Sequence, residues 1–527
     1  MSSLNTVPET AAPVSPDAQK FRSQMGQISR HSAVFFAGTV FTAAAGYLFK
    51  VFLARVLGAE ALGIYALGMT IIGFVGVFNG LGLPQSAVRF VAAYSATGRY
   101  DELRGFVVRA VGALLAANVV LGLAVLWVGP WVADHFYHTP ELKGYLSLFA
   151  LIMMLGALTT FFGQVLQGYK DVSRRTIITN FIGTPLMMVL TIVLITQGMG
   201  LRGYIVAQIL SPIVVLLLLM AYVWKLTPAG ARHFGGPLPK LESHVLTFGA
   251  AVFGIALTEF LLAQVDKVLI GFYIDARQVG IYAVAMAIVA FVPVALQSVN
   301  QIFSPTIADL YARGERELLG RLYQTLTKWI LAFTLPLGTA VIIFSKPLMR
   351  IFGSDFEVGW PILVVGTIGQ LVNCGTGSVG YLLLMSGHER RLFRVQVWMT
   401  LTMVVLNILL IPKLGIIGAA VAAAFTNLGT NSWNLREVST HLKLWPYNRS
   451  YLHLVPPTLG CALVAFAYRQ GLRAALPNWA LAASGMIVSF ALFFGLLAIF
   501  GLDSDDRLVL RAVWSRIRGT FQGAAVS

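Results

Sequence analysis

The chain has 527 residues, of which 57% are hydrophobic and 11% are charged, and its mean hydropathy is +0.77. A soluble domain carries roughly 25% charged residues, so this composition excludes a soluble protein with an ordinary wetted surface. The net charge of +16 does not indicate nucleic-acid binding, because the basic residues lie between apolar segments rather than in one domain. Apolar segments of about 20 residues are typical of transmembrane helices.

The predicted elements begin with a polar segment, residues 1–31, whose proline, serine and alanine content predicts a disordered cytoplasmic tail. The segments that follow predict an all-α integral membrane protein with about 14 transmembrane helices, because a helix pairs every backbone group internally in lipid. Their approximate bounds are 33–55, 62–83, 108–130, 144–166, 176–197, 202–224, 246–272, 278–302, 328–350, 360–385, 393–412, 415–435, 451–469 and 478–501.

An internal repeat divides these helices into two lobes. The segment from Gly58 to Met69 is similar to the segment from Asp275 to Met286, and the shared Gly-Ile-Tyr sequences lie 217 residues apart. Six helices per lobe is an even number, so the repeats have the same orientation in the membrane, a known transporter arrangement. The predicted domains are a tail (1–31), an N-lobe (32–226), a cytoplasmic linker (227–243), a C-lobe (244–437), two appended helices (438–501) and a cytoplasmic tail (502–527).

The distribution of basic residues predicts the topology. With both termini in the cytoplasm, the inner segments hold 27 of the 38 Lys and Arg residues and the outer segments hold 9. This bias agrees with the positive-inside rule. The remaining two, Lys50 and Lys267, lie inside predicted helices. Charges inside membrane helices are costly and usually line a transport path.

Several motifs carry a family resemblance. Arg55 to Tyr65, Gly80-Leu-Gly-Leu-Pro84, Asp266 to Gly271 and Leu384-Met-Ser-Gly-His-Glu-Arg390 resemble, in order and spacing, the bacterial polysaccharide flippases of the multidrug/oligosaccharidyl-lipid/polysaccharide exporter superfamily. The resemblance covers about residues 30–450. Lipid II flippases of that superfamily fit less well because their arginine-rich first helix is missing, and multidrug extruders usually have twelve helices.

The resemblance implies a function and a location. It implies two lobes that move undecaprenyl-pyrophosphate-linked oligosaccharide from the inner to the outer leaflet of the bacterial cytoplasmic membrane by alternating access. Membrane lipids, a glycan polymerase and export machinery are the implied partners, and no covalent chemistry is required. The alternative is an ion-coupled drug antiporter of the same superfamily. A membrane glycan polymerase or ligase is disfavoured because the internal loops are too short for an active-site domain.

Four cations are candidate substrate-binding residues, since a diphosphate must pass through hydrocarbon. Lys50 either attracts the diphosphate or extends to the outer interface. Arg55 is an interfacial anchor or gate residue or a substrate contact, and Arg89 either meets the substrate at the cytoplasmic mouth or is an ordinary inner-loop charge. Lys267 lies in the seventh predicted helix.

Two carboxylates of the seventh predicted helix, Glu259 and Asp266, are candidate ion-coupling residues. They lie seven residues apart and therefore share one face of a helix. The alternatives are a static ion pair for Glu259 and a structural role at the helix end for Asp266 with Lys267. The sequence has no GxxxxGK[ST] phosphate-binding loop, so ATP is not expected to be the direct energy source. We predict no cofactor, no metal site and no catalytic residue.

Overall fold

The computed structural model describes residues 16–79, 83–169, 171–232 and 264–500. These residues are almost entirely helical, and no strand occurs among them. The helices are α1 (Pro16–Asn79), α2 (Leu83–Ala96), α3 (Tyr100–Trp131), α4 (Leu146–Gly168), α5 (Val172–Thr176), α6 (Thr184–Leu194), α7 (Gly200–Leu226), α8 (described from 264 to 273), α9 (Ala276–Val289), α10 (Val294–Ala312), α11 (Arg316–Ile343), α12 (Ser345–Arg350), α13 (Trp360–Thr376), α14 (Val379–Met385), α15 (Glu389–Leu414), α16 (Ile416–Glu437), α17 (Val455–Leu472) and α18 (Asn478–Phe500).

Short segments of other helical types connect or extend these helices. Their bounds are Val132–Phe136, Ile177–Gly183, Ile195–Met199 and Val438–Leu442 for the π-helical segments, and Pro140–Tyr145, Ala229–Ala231, Ser354–Gly359 and Arg449–Leu454 for the 3₁₀ segments. In the described part of the chain, nine helical segments are long and apolar enough to cross a membrane, or ten if the bent pair Ala276–Val289 and Val294–Asn300 is one span. The multi-pass, all-helical class is therefore confirmed, while the count of 14 stays a prediction.

A backbone break inside the first helix lies between the first two predicted spans. The predicted first and second spans are joined within α1, whose backbone is helical up to and beyond a break at Gly58, where φ is +79°. Ala59 to Leu62 favour the helix, so only Gly58 leaves it, in a conformation that costs glycine little. The helix also begins at Pro16, inside the segment predicted to be a disordered tail.

The chain forms two compact units that are discontinuous in sequence. One comprises Met1–Phe49, Phe78–Leu123 and Ala150–Phe253; the other comprises Lys50–Val77, Ala124–Phe149 and Gly254–Ser527. Below we call them the first and second unit. The predicted lobes are continuous segments, whereas the second unit includes Lys50–Val77 and Ala124–Phe149, two segments of the predicted N-lobe. The lobe boundaries remain a prediction.

Each unit has its own apolar core. In the first unit, Val91, Leu114, Phe161 and Leu166 are completely buried where α2, α3 and α4 pack together. In the second unit, α15 and α13 both pack on α16, and α17 packs on α18. Many large apolar side chains outside these cores are exposed, as expected for helices that face lipid.

A cluster of charges in the second unit lies at the predicted cytoplasmic end of α16. The Glu437 carboxylate accepts hydrogen bonds from Arg391 Nη1 (3.1 Å) and Trp433 Nε1 (3.3 Å). Arg394 and His441 lie 3.8 Å and 3.4 Å from the same carboxylate. Burial by itself would raise the pKa of Glu437, but the hydrogen bonds from Arg391 and Trp433 outweigh it and hold the pKa below the ordinary value of 4.5.

Replacing Glu437 with Gln is expected to lower the free energy of unfolding by about 0.2–1 kcal/mol, the range for partly exposed ion pairs. Because the folded-state pKa is lowered, this stabilisation is present above the unfolded pKa and is lost as pH falls through the folded value. Thermal unfolding in detergent should therefore show that wild type is more stable than E437Q at pH 7 and that this difference in stability disappears by pH 3. Glu389→Gln, an exposed position in the same unit, is the control; an E437Q difference that persists at pH 3 would contradict the interpretation.

Candidate functional site

The two lysines inside predicted helices, Lys50 and Lys267, occupy equivalent positions in the two repeats. The offset of 217 residues that relates the two repeat motifs also relates Lys50 to Lys267, a correspondence that the motif comparison did not include. Both belong to the second unit, and they are close enough for their charges to repel. Lys50 is exposed, and Lys267 is half-buried with its Nζ donating to Gln264 Oε1 at 2.8 Å. Two like charges at equivalent positions form a cationic pair that suits an anionic ligand.

An apolar cavity adjoins the helix that carries Lys267. Its volume is about 500 Å³. Val265, Val268 and Leu269 line it from α8, at positions that share one helical face. Other lining residues come from the second half of α1 and the end of α3, including Phe74 and Val128. A cation and an apolar cavity on α8 suit the two parts of an amphipathic ligand, its anionic group and its apolar chain.

Asp266 is held by two hydrogen bonds. Its carboxylate accepts from the Tyr282 hydroxyl at 2.7 Å and from the Lys267 backbone N–H at 2.8 Å, and the side chain is only 5% exposed. Tyr282 is the tyrosine of the second Gly-Ile-Tyr sequence. These contacts give Asp266 a positioning role between α8 and α9, and its candidate role in ion coupling stays a prediction.

Arg55 forms a specific contact within the second unit. Its Nε donates to the Ile351 carbonyl oxygen at 2.7 Å while the side chain remains exposed. Arg350, the neighbour of Ile351, pairs with Glu357 at 2.6 Å. The contact supports the interpretation of Arg55 as an interfacial anchor, and substrate contact by Arg55 stays a prediction.

The other two candidates are less fully described. Arg89 lies in α2, but its side chain is not among the described ones. Glu259 lies outside the described residues. The substrate-binding role of Arg89 and the coupling role of Glu259 therefore remain predictions.

Sequence reasoning missed a polar cluster inside the second unit. The predicted span 360–385 is interrupted at Gly377, where φ is +69° and a Cβ would overlap Thr327 Oγ1. Around this break, Ser378 Oγ donates to Asn300 Oδ1 at 2.5 Å and the Tyr323 hydroxyl donates to the Thr376 carbonyl oxygen at 2.7 Å. The Gly-Ser pair within an apolar run was the available signal. Broken helices are where transporters expose backbone groups.

Lys328 lies within α11 and is buried, with only 5% of its surface exposed. Thr327 and Lys328 are neighbours in this helix, and Thr327 contacts the break at Gly377.

Among the residues that the structure describes, no group of three or more His, Cys, Asp or Glu side chains is arranged to hold a metal ion.

Comparisons with known proteins identify the family of this chain and proteins that are similar to it. The polysaccharide biosynthesis protein family matches residues 52–358, more than half of the chain. The "Probable flippase AglR" of Haloferax volcanii is 23% identical over 410 residues, which are 76% of this chain and 80% of that protein.

Solved structures share the fold. "Lipid II flippase MurJ, inward closed conformation" superposes with a TM-score of 0.69 at 17% identity, covering 89% of this chain and 98% of the other. An inward-facing multidrug resistance MATE family transporter has a TM-score of 0.62 at 15% identity, covering 75% and 94%. These relatives are transporters, and the prediction that the chain is a transporter rather than an enzyme is confirmed. The chain belongs to the polysaccharide biosynthesis protein family, within the multidrug/oligosaccharidyl-lipid/polysaccharide exporter superfamily that its motifs resemble.

Proposed function

We propose that the protein is a flippase that moves undecaprenyl-pyrophosphate-linked oligosaccharide from the inner to the outer leaflet of the bacterial cytoplasmic membrane by alternating access. Both termini would lie in the cytoplasm. Family membership and relatives named as flippases support the flippase class. A glycan polymerase and export machinery are the proposed partners that would use the translocated product.

The observation that carries the proposal is that Lys267, whose charge acts on Lys50, lies on the helix that lines an apolar cavity. Lys50 and Lys267 provide two positive charges for a diphosphate, and charge-assisted hydrogen bonds to phosphate are among the strong ones. Val268 and Leu269, the next residues along α8, line the cavity, where part of an isoprenoid chain would be buried at about 0.8 kcal/mol per CH₂. A drug antiporter for organic cations would gain nothing from the lysine pair.

Ion coupling is part of the proposal. A carboxylate in a membrane helix that binds a cation in one state and releases it in another couples translocation to the membrane potential, and one charge moved through 100 mV supplies about 2.3 kcal/mol. Glu259 is the proposed coupling residue, and Asp266 is the second carboxylate, seven residues farther along the chain. Asp266 already accepts two hydrogen bonds, so Glu259 is the better candidate.

The test is translocation in proteoliposomes with an imposed ion gradient. Wild-type protein should move an undecaprenyl-pyrophosphate oligosaccharide between leaflets, and it should move an uncharged polyprenol-linked glycan far more slowly. Glu259→Gln should remove the dependence on the gradient. Glu141→Gln, which changes a carboxylate in a predicted outer loop, is the control. Export of an organic cation with no movement of any lipid-linked glycan would replace the flippase with the antiporter.

A further inference from the structure

The two copies of the repeat motif contain the same small-residue spacing. Ala59 and Gly63 are four residues apart in α1, and Ala276 and Gly280 are four residues apart in α9. Small residues at this spacing allow membrane helices to approach closely. We call these four residues the repeat seam; all four are buried and belong to the second unit.

The contact across the repeat seam is reciprocal. A Cβ added to Gly63 would overlap the carbonyl oxygen of Ala276, and a Cβ added to Gly280 would overlap the carbonyl oxygen of Ala59 and lie 2.9 Å from the Gly63 nitrogen. Ala59 corresponds to Ala276, and Gly63 corresponds to Gly280, in the repeat. The same two surfaces therefore meet each other across a local two-fold axis, as in a symmetric dimer interface.

The repeat seam lies near a charged, exposed end of the second unit. Arg277, inside the second motif, is exposed and pairs with Asp355 at 3.2 Å, and Arg55 precedes the first motif. Lys50 lies farther along α1, about 12 Å from Gly58 at 1.5 Å per residue. The repeat seam therefore stands between the lysine pair and the end of the molecule that the charge distribution predicts to face outward.

We propose that the repeat seam is the reversible outer closure of the transport path, and that its two helices must part for the glycan to leave. This inference rests on the proposed flippase function. A close contact between backbones needs no interlocking side chains, so α1 and α9 can separate without breaking interdigitated packing. The repeat symmetry of the contact explains why both copies of the motif keep a small residue at both positions.

The first experiment uses a background in which Cys374 and Cys461 are replaced by Ser. Glu60 and Arg277, the exposed repeat-equivalent residues beside the repeat seam, are both changed to Cys and joined by a short, cleavable bifunctional thiol reagent. Translocation should fall to background on cross-linking and return when the cross-link is cleaved, while a monofunctional reagent leaves it unchanged. Full translocation by the cross-linked protein would overturn the proposal. Absence of translocation before cross-linking would count against the flippase function instead.

The second experiment does not depend on translocation. Lys50→Cys, in the same background, reports access from outside through labelling by a membrane-impermeant thiol reagent applied to intact cells. Gly280→Ala should force the helices apart and increase labelling, because its Cβ meets backbone. Gly112→Ala, where a Cβ would meet nothing within 4 Å, should leave labelling unchanged. Equal labelling in the Gly280 and Gly112 variants would overturn the proposal.

Discussion

Replacing Lys50 and Lys267 together with Gln is expected to reduce translocation of a diphosphate-linked oligosaccharide to background. A hydrogen bond to a charged group contributes about 1.5–3 kcal/mol, and 1.4 kcal/mol corresponds to a factor of about ten. Each single replacement should therefore reduce the rate by about 10- to 100-fold, and the double replacement should cost more than either alone. The measurement is the initial rate of leaflet translocation in proteoliposomes.

Charge-preserving and distant substitutions make this result specific. Lys50→Arg with Lys267→Arg should retain most of the activity, because guanidinium also binds phosphate. Lys413→Gln, an exposed lysine near the end of α15, should have no effect. The lysine pair should matter less for a polyprenol-linked glycan without phosphate. If the double Gln variant translocates the diphosphate substrate at the wild-type rate, the pair is not the anion site.

Removing the Tyr282 hydroxyl is expected to destabilise the second unit. In Tyr282→Phe, the buried Asp266 Oδ2 loses the donor at 2.7 Å, and leaving a buried acceptor unsatisfied costs about 1–3 kcal/mol, more for a charged group. Asp266→Asn should lower the free energy of unfolding by less in the Tyr282→Phe background than in the wild type, because the shared hydrogen bond is already absent. Thermal unfolding in detergent of the two single variants and the double variant gives the coupling free energy.

The same variants separate the two roles considered for Asp266. A positioning role predicts that Y282F and D266N lower both thermal stability and translocation, with the ion dependence of translocation unchanged. A coupling role predicts that D266N removes the ion dependence while Y282F retains it. Tyr273→Phe, at an exposed tyrosine of α8, is the control. Additive destabilisation by Y282F and D266N would show that the hydrogen bond contributes nothing.

The candidate site was predictable in its parts and not in its arrangement. Lys50 and Lys267 stand out in the sequence because they are the two basic residues that the assignment of loops leaves inside helices. Their proximity depends on how segments 217 residues apart pack against each other, and this packing cannot be predicted from a local sequence pattern. The Asp266–Tyr282 hydrogen bond could not be predicted either. Tyr282 was recognisable in the sequence only as part of the repeat motif, and nothing in that motif identifies Asp266 as its partner.

The helix boundaries were also predictable only in part from the sequence. Apolar length predicted the spans 33–55 and 62–83, which lie on either side of a break at Gly58 inside α1, but the predicted span 360–385 is itself broken at Gly377. A single glycine conformation decides each case, and hydropathy is insensitive to it. At Gly377 two features disfavour a side chain: the positive φ of +69° and the packing of Thr327.

By itself, the sequence determined the membrane class and predicted a duplication and a topology, because hydrophobicity and charge act locally and accumulate along the chain. Tertiary structure alone decided three features: the electrostatic influence of Lys267 on Lys50, the apolar cavity lined by the helix that carries Lys267, and the reciprocal contact at Gly63 and Gly280. Such contacts depend on the close approach of distant backbones, which is governed by the shape of the packed helices rather than by the polarity of any one segment.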